Sequence, residues 1–173
     1  MKEIKNGDEG TQSPLFLYKK MFKDIVKGLL EKGLEERNDL FLVDFSLASD
    51  NTIKIIIDGD QGVAVEDCMF ISRAVEHNLD REEQDFSLEV ASAGATSPLI
   101  NKRQYIKNLG RTLDVKTKSD TIEGKLIQAT ENEITLQWKS REPKPVGKGK
   151  VTVQKQADIA YENIVEAKVM IKF

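Results

Sequence analysis

The chain has 173 residues, 39% of them hydrophobic and 32% charged, enough for one large or two small domains with their own cores and too apolar for disorder along most of its length. No apolar run approaches a bilayer span, Met1 to Gln12 lacks the apolar stretch of a signal peptide, and the lone cysteine, Cys68, excludes an internal disulfide framework and suits a reducing, cytoplasmic setting. The net charge of −3 joins an acidic first hundred residues (11 Lys and Arg against 20 Asp and Glu) to a basic remainder (15 against 9), a division that suits a second half meeting a polyanion.

Ser13-Pro14 reads as a helix start, a capping hydroxyl followed by proline in the first turn. Leu15, Tyr18, Phe22, Ile25 and Leu29 then recur at three- and four-residue steps as one apolar stripe, with Gly33 loosening the end. Phe41, Val43, Phe45 and Leu47 alternate as a strand. Ser49-Asp50-Asn51 turns the chain into a hairpin partner carrying Ile53, Ile55 and Ile57. After Asp58-Gly59-Asp60-Gln61-Gly62, helical spacing returns at Cys68, Ile71, Val75 and Leu79. Phe86, Leu88 and Val90 then alternate as a third strand. The order is α-β-β-α-β, a two-layer unit.

Strand alternation stops in Ser92-Ala93-Gly94-Ala95-Thr96-Ser97-Pro98-Leu99, because glycine frees the backbone and proline has no ladder donor. This is the expected joint between an N-terminal domain, 13–98, and a C-terminal domain, 99–173. Beyond it, Asn101 to Asn108 reads as a short helix with Tyr105, Ile106 and Leu109 on its apolar side. The period then falls to two through Leu113 and Val115, Ile122 to Leu126, Ile134 to Trp138, Val151 and Val153, and Val169 to Phe173. Tyr161-Glu162-Asn163-Ile164 reads as a single helical turn. Five short strands with that turn before the last predict an SH3-like (Sm-like) small β-barrel, and the whole chain is of the α+β class.

Catalytic constellations are missing from this pattern. His77 sits at a helix end with no Gly-x-Ser-x-Gly elbow to serve, and Cys68 falls on an apolar stripe as a small hydrophobe. One Cys and one His cannot build a structural zinc site, so no metal and no cofactor are expected. The Asp58 to Gly62 turn fails as a calcium loop, because Val63 stands where glycine and Met69 where glutamate is needed. As a phosphate clamp it would repel its ligand with two aspartates, which leaves a glycine turn with an acidic helix entry. The cations of the second half are more informative. Lys102, Arg103, Lys107, Arg111, Lys116 and Lys118 follow the joint. Lys139, Arg141, Lys144, Lys148 and Lys150 lie on or beside a loop interrupted by Pro143, Pro145, Gly147 and Gly149. That loop has no aromatic residue, so it suits phosphate neutralisation rather than base stacking.

Leu88-Glu89-Val90 leading into Ser92-Ala93-Gly94 and Pro98-Leu99 resembles the L-E-V-S-S-P-G-x-x-x-P-L signature of the RimP family of bacterial ribosome maturation factors. Ile55 to Gly59, Gly62-Val63, Asp67-Cys68 and Ser72-Arg73 resemble its second strand, acidic loop and second helix. Ile122, Gly124 and Leu126, Tyr161 to Ile164 and Ala167 to Val169 are similar to its C-terminal barrel. Ala93 replaces the usual signature proline, and Thr96-Ser97 replace an Asp-Arg pair, which implies two less firmly oriented domains. The resemblance implies a cytoplasmic, monomeric, non-enzymatic factor with no membrane or small-molecule substrate. Its partner would be the immature small ribosomal subunit, met through ribosomal RNA and a small-subunit protein near the decoding region. The rival expectation is an adaptor whose SH3-like barrel binds a peptide without touching RNA.

Overall fold

Two sheets, each with its own buried cluster of side chains, organise residues 13–173, the part of the chain that the computed structural model describes. The chain enters through helix α1 (Pro14–Glu36), whose first turn is closed by Ser13 Oγ accepting the Phe16 N–H at 3.3 Å. Its buried face is Phe22, Val26, Leu30 and Gly33, whereas Leu15, Tyr18 and Ile25 of the expected stripe are exposed. Gly33 does not end the helix. It lets the second helix approach, since a Cβ there would stand 2.9 Å from that of Ala74.

Strands β1 (Leu40–Leu47) and β2 (Thr52–Gly59) form the expected antiparallel hairpin. Helix α2 (Val65–Glu76) then carries the chain to β3 (Ser87–Ser92), which pairs with β2 in parallel, so β2 is central. Central position explains why Ile53, Ile55 and Ile57 are all 0% exposed, each such burial contributing about 2–3 kcal/mol. A bulge interrupts β1: Leu42 faces Ile57 but Asp44 faces Ile56, leaving Val43 without a partner. The alternation expected through Phe41, Val43, Phe45 and Leu47 therefore breaks. Leu40, Leu42, Phe45 and Leu47 pack into the first cluster, while Phe41 is buried outside it.

The second half begins with α3 (Lys102–Lys107), capped by Asn101, whose side chain accepts the Arg103 N–H at 2.9 Å. Tyr105 is buried, but Ile106 and Leu109 are exposed, and the other buried members of this helix end are the polar Gln104 and Asn108. Five antiparallel strands follow: β4 (Thr112–Thr117), β5 (Thr121–Ala129), β6 (Glu133–Pro143), β7 (Lys150–Ala160) and β8 (Ile164–Val169), in the order β7-β6-β5-β4-β8. Leu113, Val115, Leu126, Ile134 and Leu136 fill the second cluster.

Three expectations need correction here. The sheet is open: β7 and β8 follow one another through the single 3-10 turn Tyr161–Asn163 but lie at opposite edges, and they share no ladder that would close a barrel. The last strand ends at Val169, and Ile171 and Phe173 beyond it are exposed. The Pro/Gly-interrupted loop is shorter than expected, because β6 and β7 stay paired out to Pro143 and Lys150 and leave only 144–149 as an unpaired tip. No helix among the described residues is long and apolar enough to cross a membrane.

Candidate nucleic-acid interface

Opposite charges far apart in sequence meet where α3 lies against the first sheet. Strand β2 ends in the turn Asp58-Gly59-Asp60-Gln61-Gly62, closed by the Gly62 N–H donating to the Gly59 carbonyl at 3.0 Å. A Cβ on Gly59 would come within 2.4 Å of the Gly62 oxygen, and Gly62 has φ +94°, so both positions call for glycine. The turn holds its two aspartates toward α3. Lys107 Nζ donates to Asp58 Oδ1 at 2.6 Å and Gln104 Nε2 to Asp58 Oδ2 at 3.2 Å. Arg103 takes both carboxylate oxygens of Asp60, at 3.1 and 2.6 Å, and donates to the Asn38 carbonyl at 2.8 Å. Its guanidinium also lies 4.5 Å from the centroid of the Phe41 ring, which accounts for a phenylalanine buried outside the core cluster.

The turn is therefore more than an acidic helix entry. The carboxylates at the start of α2 are Glu66 and Asp67, and Asp67 accepts the Ala64 N–H at 2.8 Å and Arg37 at 2.7 Å. Those two contacts, the backbone one first, hold the Asp67 carboxyl below the usual range. Asp58, Asp60 and Phe41 are the residues that sequence reasoning missed. The available signal was the four-residue step from Arg103 to Lys107, which places two cations on one helix face.

Of the cations expected to meet RNA, Arg103 and Lys107 thus bind the two halves of the chain together. Lys102 donates to the Glu131 carbonyl at 2.5 Å, with that residue's carboxylate at 3.6 Å. Arg111, Lys116, Lys118, Arg141, Lys144, Lys148 and Lys150 are exposed and make no ion pair among the described residues. They fall in three places. Lys116 and Lys118 lie at the β4–β5 turn; Arg141, Lys144, Lys148 and Lys150 lie on the projecting end of the β6–β7 hairpin. Arg111 stands apart from both, on a cleft of about 220 Å³ that it shares with Asp58, Ser92, Gly94, Leu99 and Lys107.

Apart from the exposed Phe173 at the chain end, the aromatic residues of this half are taken up in packing. Tyr161 stands edge-on to Tyr105 with centroids 5.2 Å apart and donates its hydroxyl to the Thr130 carbonyl at 3.0 Å. Trp138 packs against the second cluster, as its place in the alternation predicts. Burial pushes the Tyr105 phenol up to about 12, and burial followed by the Glu131 carboxylate raises that of Tyr161. Cys68 is half-buried, and burial, followed by the Asp67 carboxylate, raises its thiol, which disfavours the thiolate.

The family described as the RimP N-terminal domain is matched over residues 30–96. A ribosome maturation factor RimP of Christiangramia forsetii is 60% identical over 153 residues, spanning 88% of this chain and 100% of that relative. The chain belongs to the RimP family. A RimP of Flavobacterium psychrophilum is 54% identical over 152 residues, 88% of this chain and 99% of the relative. One from Porphyromonas gingivalis is 35% identical over 100 residues, 57% of this chain and 66% of the relative.

The RimP-like joint is stitched at both ends. Ser92 closes β3 opposite Ile57, and the next N–H, of Ala93, donates to the Ile57 carbonyl at 2.9 Å. Ser97 N–H reaches back to the Gly94 carbonyl at 3.0 Å, and a Cβ on Gly94 would stand 2.7 Å from Ser97 Oγ. After Pro98, Leu99 N–H donates to the Ala167 carbonyl of β8 at 2.8 Å and its side chain joins the second cluster. Ala93, Thr96 and Ser97 supply neither stiffness nor charge. To the joint's backbone bonds α3 adds Arg103 on Asp60 and Lys107 on Asp58, contacts that the small, neutral joint did not predict.

Proposed function

We propose that the protein is a ribosome maturation factor that works by binding alone, holding the immature small ribosomal subunit through late maturation. The observation that carries the ribosomal part of this reading is 60% identity across the whole length of a relative named ribosome maturation factor RimP. Residues 13–98 and 99–173 are taken as two domains, a division supported by two separate buried clusters. The strand order, with its 3-10 turn before the last strand, favours an SH3-like (Sm-like) arrangement left open between its edges. In this reading the unpaired cations of the second half neutralise ribosomal RNA phosphates. The acidic first half faces a basic small-subunit ribosomal protein near the decoding region. The factor acts in the cytoplasm as a monomer and needs no cofactor. A peptide adaptor would need an exposed aromatic groove, and Tyr105, Trp138 and Tyr161 are instead packed against the second cluster.

Sedimentation of cell extract containing the tagged full chain tests the proposal. The expected result is co-migration with free small subunits and absence from large subunits and mature ribosomes. Equal distribution over all particles, or absence from the small-subunit fractions, overturns it.

A further inference from the structure

We propose that the outer face of the β6–β7 ribbon is where this protein holds RNA, and that it grips the sugar-phosphate backbone of a duplex. The inference rests on the RNA-binding part of the reading above and goes on to name the face and the form of RNA.

Strand β6 loses its β5 neighbour after the Lys125–Gln137 pair, yet stays paired with β7 out to Pro143 opposite Lys150. The outer part of the hairpin is thus a free two-stranded ribbon. Directly paired residues in an antiparallel ladder share a face, so the register sorts its side chains. Trp138 with Lys155, Ser140 with Val153 and Glu142 with Val151 continue the core side of the sheet. Lys139 with Gln154, Arg141 with Thr152 and Pro143 with Lys150 form the outer side. Burial follows the same division except at Val151 near the tip, which is exposed: Trp138, Ser140, Glu142, Val153 and Lys155 are half-buried, whereas Lys139, Arg141, Thr152, Gln154 and Lys150 are exposed.

The two faces treat charge differently. On the inner face Glu142 and Lys155 neutralise each other in an ion pair. The outer face has three cations and no acid, and none of the three has an ion pair among the described residues. Lys144 and Lys148 extend it over the tip, which Lys144 N–H closes onto the Gly149 carbonyl at 3.0 Å. Every polar group on this face can donate a hydrogen bond, as phosphate and ribose oxygens require. Residues two apart on a strand are about 6.7 Å apart, so Lys139 and Arg141 form a row whose step is of the order of that between successive phosphates. Single-strand binders add stacking rings to such a surface, and this one has none. A duplex displays phosphates and 2′-hydroxyls and keeps its bases inside, which is the chemistry that this face matches.

The test is fluorescence anisotropy with the full chain, a labelled RNA hairpin of about 16 base pairs and an oligouridine of equal length, over a range of KCl. Wild type is compared with Lys139→Gln/Arg141→Gln/Lys150→Gln and with the inner-face variant Glu142→Gln/Lys155→Gln, thermal melts showing that each folds. The expected result is that wild type prefers the hairpin. The outer-face variant should lose about 100-fold in hairpin affinity at low salt, and its log–log salt slope should become shallower by about 2–3. The inner-face variant should stay within about twofold of wild type. Hairpin binding unchanged in the outer-face variant, or reduced equally in the inner-face one, overturns the assignment of the face. Tighter binding of oligouridine overturns the duplex. Hairpin binding by a wild type that fails to sediment with small subunits removes the ribosomal reading and leaves the ribbon standing. Normal sedimentation of a wild type whose hairpin affinity survives the outer-face change does the reverse.

Discussion

The cations of α3 and those of the β6–β7 ribbon belong to the same basic half and satisfy the same electrostatic argument, yet the fold gives them different employment. Arg103 and Lys107 face carboxylates, a carbonyl and an aromatic ring, with side chains only 37% and 26% exposed. Lys139, Arg141 and Lys150 face water. A positive side chain is free to meet a polyanion only where the fold has not already supplied its counter-charge. Net charge by half shows where cations are in excess; partner geometry shows which of them are already neutralised.

Four substitutions probe that contrast, and each should leave the hairpin salt slope unchanged within error. The largest effect is expected from Asp58→Ala. It leaves the Lys107 ammonium and the Gln104 amide without their acceptor in a largely buried place and should cost about 2–3 kcal/mol in urea unfolding. Arg103→Lys keeps the charge but loses the fork that spans both Asp60 oxygens, the Asn38 carbonyl and the Phe41 ring. About 1 kcal/mol is expected, discounted for its exposure. Lys102→Gln removes an exposed pair with Glu131 and should shift the melting temperature by no more than the error of the measurement. If it destabilises as much as the Arg103 change, the division of α3 into bound and idle cations is wrong.

The smallest effect is confined to high pH. The Tyr105 phenol is raised to about 12 in the folded chain, above its ordinary value near 10. Stability from the neutral, buried ring is therefore complete below about pH 10 and is lost as pH rises toward 12. Tyr105→Phe should match wild type in melting temperature at pH 8 and exceed it at pH 11. Equal melting temperatures at pH 11 would show that the ring ionises without cost.

Local pattern carried most of the architecture. The order α-β-β-α-β, the hairpin at Asn51, the helical turn at Tyr161 and the strands through Leu113 and Leu136 are all set by spacing within a few residues. What was misread depends on a neighbour. Helix α1 has two apolar stripes at acceptable spacing, and α2 decides between them by packing Ala74 onto Gly33. The bulge at Val43 shifts side-chain parity without any residue that announces it. Pro143, Gly147 and Gly149 suggested a loose loop because such residues break ladders. Here Pro143 sits at the last rung, and the glycines, with φ of +89° and +113°, make the tip. The Asp60–Arg103 and Asp58–Lys107 pairs span 43 and 49 residues, beyond the reach of any periodic signal.

Gly59 gives this arrangement a vulnerability out of proportion to its size. It bears no side chain and meets no cation, but a single methyl group there must displace the Gly62 oxygen. Asp60 lies between them, so the displacement would draw its carboxylate away from Arg103. Both sheets would keep their own interiors and lose their common frame of reference. A partner gripping both at once would then pay the entropy of aligning them, and its affinity would fall although every atom it touches were intact.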